Sequence, residues 1–466
     1  MVFSSPLFLI YFLPVFLAVY LLAPRSWKNG VALLASIAFY TWGAPKFVFV
    51  LLVSGALDYV ISSRMAQNAG QRKQLLWLGL AVNLATLAAF KYFNFFVANV
   101  RDVFELIGWH FPELLTIALP IGISFFTFQK VSYLVDVYRQ DTPPARSLWD
   151  YLLFVSLFPQ LIAGPIIRYK DLARQIVDRG ESGNWNQRFA GLFRFTIGLA
   201  KKVLIADALA TLADPAFEAE VLSSPDAWLG LIAYTFQIYF DFSGYSDMAI
   251  GLGQMMGFRF PENFNCPYIA RGFQDFWQRW HITLSTWMRD YLYIPLGGNR
   301  ISEILTLRNL WIVFLLSGLW HGASWNFIIW GAWHGAFLSI DRFTGLFRKM
   351  PHFMSVALTF FLVAFGWVWF NAETVPNAIE YYQALFSVKG SLSLEVGGRE
   401  AFILFLAIVF SFFSGALQSK VFAFLSGSDN QPLEVVAKAV LIAVLLVLCL
   451  GQLAVAEGQP FIYFRF

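Results

Sequence analysis

The chain has 466 residues, of which 58% are hydrophobic, 18% aromatic and only 13% charged, whereas a soluble domain carries about 25% charged residues. So apolar a chain cannot cover itself with polar surface in water, which excludes a soluble globular protein and leaves an all-α polytopic membrane protein. A net charge of +4 gives no footing for nucleic acid, and two cysteines and five histidines without zinc-like spacing give neither a disulfide framework nor a metal site.

The opening stretch "MVFSSPLFLIYFLPVFLAVYLLAPR" has no basic leader and no small-x-small cleavage site, and reads as a first membrane helix. At about 20 apolar residues per span, spans are expected at 5–23, 29–44, 46–63, 74–97, 114–136, 188–210, 228–256, 353–371, 401–418 and 435–453. Arg and Lys gather on the cytoplasmic side of such proteins. Arg25 and Lys28, then Arg64, Arg72 and Lys73, then Arg139 and Arg146 alternate consistently with that side. "YLLFVSLFPQLIAGPIIRYK" is basic at both flanks and interrupted by Pro159, Gly164 and Pro165, so a re-entrant hairpin is expected there. The loop 211–227 holds Asp214, Glu218, Glu220 and Asp226 but no basic residue, and is expected outside. Region 257–308 returns inside with Arg259, Arg271, Arg279, Arg289, Arg300 and Arg308. The stretch 309–341 is again basic at both ends, and its two short apolar arms meet at "HGASW". A second re-entrant hairpin is therefore expected, with His321 near mid-membrane. Beyond 371 the acidic Glu373, Glu380, Glu395 and Glu400 outnumber Lys389 and Arg399. No repeat or soluble insertion divides the chain, so 1–466 reads as one integral domain of about ten spans and two hairpins.

Three stretches carry chemistry. In "FLLSGLWHGASWNF", His321 stands without a charged residue within ten positions on either side. Ionisable groups inside membrane segments are costly and usually functional. In "FQDFWQRWHITLSTWMRDYLYIPLGGNR", helical spacing puts Trp277, Trp280, Leu284, Trp287, Met288 and Tyr291 on one stripe. Gln278, Arg279, Thr286, Arg289 and Asp290 fall opposite, and an interfacial helix anchored by its rings is expected. His281, at the edge of that stripe, reads either as a satisfied buried histidine or as a partner of His321 in one cavity. His334 reads as packing. In "YTFQIYFDFSGYSDMAIGLGQMMGF", Asp241 and Asp247 lie inside a membrane helix with polar residues on two faces. They form either a hydrogen-bonded knot or the wall of a cavity, and Asp241 can pair with an arginine such as Arg289. No nucleophile elbow, Walker loop, dinucleotide fingerprint or H-E-x-x-H is present, which leaves histidine as a general base. The residues alone leave open a transporter that moves protons, since buried His and Asp also suit proton relays.

"YFDFSGYSDMAIGLGQMMGF", "PENFNCPYIARGFQDFWQRWHITLSTWMRDYLYIPLGGNR", "SGLWHGASWNFIIWGAWHG" and "PFIYFRF" together resemble the membrane-bound O-acyltransferases. They resemble most the branch that O-acetylates bacterial exopolysaccharides such as alginate and cellulose. The resemblance implies a ring of about ten tilted transmembrane helices plus re-entrant hairpins around a central tunnel, in the bacterial inner membrane. It implies that His321 is the catalytic histidine and that His281 holds the second active-site position. Acetyl-CoA is the implied donor, with no metal, and Arg279 in the basic region is a candidate for its phosphates; a tunnel-type transporter of acetyl donor or protons, or a lipid acyltransferase using long-chain acyl-CoA, stays open beside it. Asp241, Asp247, Arg289, Asp290, Trp320 and Asn326 are candidate substrate-binding residues. With a basic inner side, an acidic outer side and no large soluble domain, the chain offers no groove for a polymer. The expected partner is therefore an extracytoplasmic SGNH-type acetyltransferase or small carrier, beside a polysaccharide synthase and export complex and membrane lipids.

Overall fold

A computed structural model describes residues 2–112, 114–179, 184–388, 390–412, 432–455 and 460–462, and every regular element among them is helical. Lys389 and residues 413–418 of the expected span 401–418 lie outside the described residues. Five stretches among them are both long and apolar enough to cross a membrane: Val48–Gln67, Ala69–Leu106, Glu303–His321, His352–Asn371 and Leu433–Val455. The described chain divides into two compact units.

The first unit comprises 7–182 with 258–260. It contains α1 (Leu13–Leu22), α2 (Lys28–Gly43), α3 (Val48–Gln67), α4 (Arg72–Leu87), α5 (Phe93–Leu106), α6 (Ile123–Arg139), α7 (Leu148–Ser156), α8 (Phe158–Leu161) and α9 (Tyr169–Val177). The span expected from 114 begins only at Ile123, because Pro120 and Gly122, the latter at φ 77°, hold the preceding chain out of the helix. Within the core of this unit, Lys130 and Asp58 pair at 3.3 Å, and Asn83 donates to the same carboxylate at 2.8 Å. The expected hairpin at 151–170 is a broken helix. It stops at Leu157 ahead of Pro159, resumes for four residues, and runs irregularly through 162–168. Residues 151–167 are buried throughout, as irregular backbone in a membrane protein requires.

The second unit comprises 2–6, 183–257 and 261–466. It contains α10 (Trp185–Ala200), α11 (Asp207–Glu218), α12 (Ser224–Met256), α13 (Phe273–Arg279), α14 (Ile282–Met288), α15 (Glu303–His321), α16 (Trp325–Thr344), α17 (Leu346–Lys349), α18 (His352–Asn371), α19 (Val375–Phe386), α20 (Gly398–Phe412) and α21 (Pro432–Val455). A π turn, Lys201–Ala206, joins α10 to α11 without a break. The helix therefore absorbs Asp214 and Glu218, and the expected loop 211–227 shrinks to a short link before Ser223 caps α12. α10 and α12 touch backbone to backbone: a Cβ on Gly251 would sit 2.6 Å from the Gly191 carbonyl, and one on Gly244 2.7 Å from that of Gly198.

Two expectations are corrected here. The stretch 273–291 is not one interfacial helix. It breaks between α13 and α14 at His281, whose backbone is left-handed (φ 44°, ψ 54°), and Trp277, Trp280, Leu284, Trp287 and Met288 are buried in protein. The arms of the 309–341 hairpin are not short either. Ser302 caps α15 by accepting from the Leu305 N–H, so the first arm starts at Glu303 and has 19 residues, while the second has 20. At 1.5 Å per residue each is about 30 Å long, a full membrane thickness.

Candidate active site

His321 is the last residue of α15, and its position depends on how tightly the chain turns there. Gly322 leaves the helix with extended backbone, and a Cβ on it would lie 2.0 Å from the Phe327 ring. Only glycine lets α15 turn into α16 this closely. The imidazole is 4% exposed, and its Nδ1 lies 2.6 Å from the Ser317 carbonyl one turn earlier. A carbonyl can only accept, so Nδ1 carries the proton and the lone pair is on Nε2. The rings of Trp320, Trp330 and Phe370 wall the imidazole at 4.9, 4.7 and 5.6 Å between centroids.

His281 is fully buried. A non-glycine residue holds the left-handed conformation only where its surroundings impose it. Here the imposing residue is Asn263. Its backbone carbonyl accepts from the Ile282 N–H at 2.9 Å, bracketing the turn. Its side-chain Oδ1 accepts from the Thr283 N–H at 3.3 Å and the Thr283 hydroxyl at 2.8 Å, and lies 3.0 Å from His281 Nδ1. Its amide donates to Ser246 on α12 at 3.0 Å. Because the Thr283 N–H can only donate, the oxygen of Asn263 must face it. His281 Nδ1 is then the protonated nitrogen, and its lone pair also sits on Nε2. The Phe242 ring stands edge-on to the imidazole at 4.7 Å.

The two histidines, 40 residues apart, meet at one ring. Trp320 lies 6.0 Å from His281 and 4.9 Å from His321. His334 joins them through Trp330, which is 4.7 Å from His321 and 4.8 Å from His334. His334 is fully buried among Phe273, Trp277 and Trp330, and neither ring nitrogen has a hydrogen-bond partner among the described residues. The ring thus packs as expected of it, one helical turn beyond Trp330 on α16, a spacing visible in the sequence. Asn263 had no such signal, because all its side-chain partners lie 17 to 20 positions away.

The other sequence candidates have commitments of their own. Asn326 is buried and donates to the Ala372 carbonyl at 2.6 Å, tying the start of α16 to the end of α18. Asp247 lies between Arg194 at 2.9 Å and Lys201 at 2.7 Å. Asp241 pairs with Lys202 on the π turn, not with Arg289. Arg289, 59% exposed, pairs with its neighbour Asp290 at 2.7 Å. Arg279 pairs with Asp275 at 2.6 Å.

The family model of the membrane-bound O-acyltransferases matches residues 145–375. The chain is 49% identical over 395 residues to the probable alginate O-acetylase AlgI of Pseudomonas aeruginosa, covering 83% of this chain and 75% of that protein. It is 44% identical to the AlgI of Pseudomonas putida over an alignment of 489 positions that covers both chains fully. The chain belongs to the membrane-bound O-acyltransferase family. It is an O-acyltransferase and a multi-pass membrane protein. A peptidoglycan O-acetyltransferase of Helicobacter pylori is 40% identical over 428 residues, covering 84% of this chain and 80% of that protein. The proteins this chain resembles are thus named for different polymers.

Proposed function

We propose that this O-acyltransferase takes acetyl groups from acetyl-CoA on the cytoplasmic side of the bacterial inner membrane for the O-acetylation of an exported, alginate-like exopolysaccharide. The likeness to the alginate O-acetylases supports the polymer class. The observation that carries the chemistry is the Ser317 carbonyl at 2.6 Å from His321 Nδ1, which leaves Nε2 as the base. His321 Nε2 removes the proton from an acceptor hydroxyl as its oxygen attacks the thioester carbonyl. The carbon–sulfur bond breaks, and the imidazolium returns the proton to the departing thiolate. His281 also offers a lone pair at Nε2, which supports holding a second donor of the acceptor, such as a neighbouring hydroxyl. Polarising the thioester carbonyl would require an Nε2–H there, and so a fully buried imidazolium. Near-complete burial of both rings keeps water from wasting the thioester.

The acetyl group is handed to a separate extracytoplasmic protein, an SGNH-type acetyltransferase or a small carrier, which acts on the polymer beside its synthase and export machinery. We take 1–466 as one functional domain, since the matched segment 145–375 includes parts of both compact units. The test is transfer of radiolabel in vesicles from acetyl-CoA or palmitoyl-CoA to a hydroxyl acceptor. Transfer from acetyl-CoA should fall by about 10²–10⁴-fold in His321→Ala. Undiminished transfer in that variant, or preference for the long chain, would overturn the reading. So would efficient polymer acetylation by this chain with no second protein present.

A further inference from the structure

Two stretches remote from both histidines converge on one turn of α12. Phe3 and Phe461 are fully buried, and each stacks on Tyr245 with ring centroids 4.6 Å apart. One turn before Tyr245, the Asp241 carboxylate accepts from the Ile462 N–H at 2.9 Å. Lys202 bridges Asp241 and Asp207, and its ammonium also reaches the Pro460 carbonyl at 3.5 Å. A buried ion pair resists displacement, since moving either partner strands a charge. The segment Pro460–Ile462 is therefore fastened to α12 by a backbone hydrogen bond, an ion-pair cluster and a stacked ring.

The same turn of α12 holds His281 in two ways. Phe242, 5.8 Å from Phe461, puts its ring against the imidazole at 4.7 Å. Ser246 receives the amide of Asn263, whose oxygen orients His281 Nδ1. The left-handed backbone of His281, at φ 44°, persists only under such constraint.

We propose that Pro460–Ile462 is a positioning element of the active site, a latch that fixes residues 241–246 so that Phe242 and Asn263 hold the His281 ring in its working orientation. This rests on the reading that His281 serves acyl transfer. It also gives Asp241 a purpose: the acid fastens the latch.

Phe461→Ala in the full chain tests it, in membranes of a strain lacking its own copy, at measured protein abundance. The rate at saturating acetyl-CoA should fall about tenfold or more, as small misplacements do in active sites, with half-saturation by acetyl-CoA unchanged. In a His281→Ala background the same substitution should cost nothing further, because both act through one ring. Phe461→Tyr, which keeps the stacked ring, should restore the rate. If Phe461→Ala does not accumulate, Phe461→Leu is read in the same way. A wild-type rate in the variant, or an equal fold-loss in both backgrounds, overturns the latch while leaving His281 in the site. A wild-type rate for His281→Ala alone overturns the active-site reading, and the latch with it.

Discussion

Asn263→Ala isolates what holds His281. The substitution removes the acceptor of the His281 Nδ1–H, of the Thr283 N–H and of the Thr283 hydroxyl, all in a fully packed region. The hydroxyl can rotate to another partner, but the two N–H groups cannot. Each buried donor left unmet costs about 1–3 kcal/mol, so a stability loss of roughly 2–6 kcal/mol is expected, reduced where the turn relaxes. The catalytic effect is separate. Without the acceptor the imidazole is free to change tautomer and rotate, and misplacement on the order of 1 Å can cost about 10²-fold. We therefore expect turnover to fall by about 10–100-fold at unchanged half-saturation by acetyl-CoA. Thermal unfolding in detergent, alongside label transfer in membranes, separates the two. Asn263→Asp keeps the acceptors but places a carboxylate against Nδ1, which draws a second proton onto the ring. It should therefore also be slow if the Nε2 lone pair is what the reaction uses. Turnover within twofold of wild type in a folded Asn263→Ala protein would refute this account of His281.

Further tests bear on neighbouring elements. His334→Phe removes an imidazole that makes no hydrogen bond among the described residues, so thermal stability should change little, read as the Tm in detergent. Gly322→Ala sets a Cβ 2.0 Å from the Phe327 ring and should destabilise by about 1–3 kcal/mol as that ring is displaced, visible as a lower Tm together with reduced transfer. Single cysteines at Ser302 and Thr344, at the two open ends of the α15–α16 hairpin, should be labelled from the same side of the membrane in a background lacking Cys266 and Cys449; labelling from opposite sides contradicts the hairpin. Asp226, ahead of the apolar part of α12, is pushed by two opposing influences: burial raises its carboxyl, and hydrogen bonds from Ser223, Ser393 and Leu394 outweigh that and bring it down to about 2. Its contribution is thus complete above the ordinary carboxylate range and lost as pH falls toward about 2; Asp226→Ala should remove roughly 2–4 kcal/mol at neutral pH by the same unfolding assay.

What the sequence made legible was cost. An imidazole in an otherwise apolar stretch, two acids within a helix of the same kind and a stripe of large rings all mark places where burial must be compensated. His321, Asp241, Asp247 and the Trp277–Trp280 stripe are indeed buried or ion-paired. Periodicity, however, assumes an unbroken helix. Nothing in "QRWHITLS" signals that a histidine rather than a glycine takes the left-handed position, so α13 and α14 read as one. The length of the hairpin arm was legible in part: Ser302 followed by Glu303 is a helix-start signal, which the basic residue at 308 obscured.

Which partner compensates a buried charge is a different kind of information. Asp241 could be matched in the sequence with any of several basic residues, and an arginine of the following basic region was a reasonable choice. The actual partner, Lys202, sits on the π turn between α10 and α11, which inserts an extra residue into the helix and rotates everything after it relative to an uninterrupted one. No composition marks a π turn, so the face on which Lys202 emerges cannot be read from helical spacing. The same holds for Asn263, whose role exists only because Ser246 and His281 arrive from elements on either side of it. Sequence therefore locates groups that need partners, whereas the backbone irregularities that supply the partners appear only in three dimensions. For Asp241 and His281 those irregularities are the π turn at 201–206, which presents Lys202 to Asp241, and the left-handed turn at His281, which Asn263 brackets.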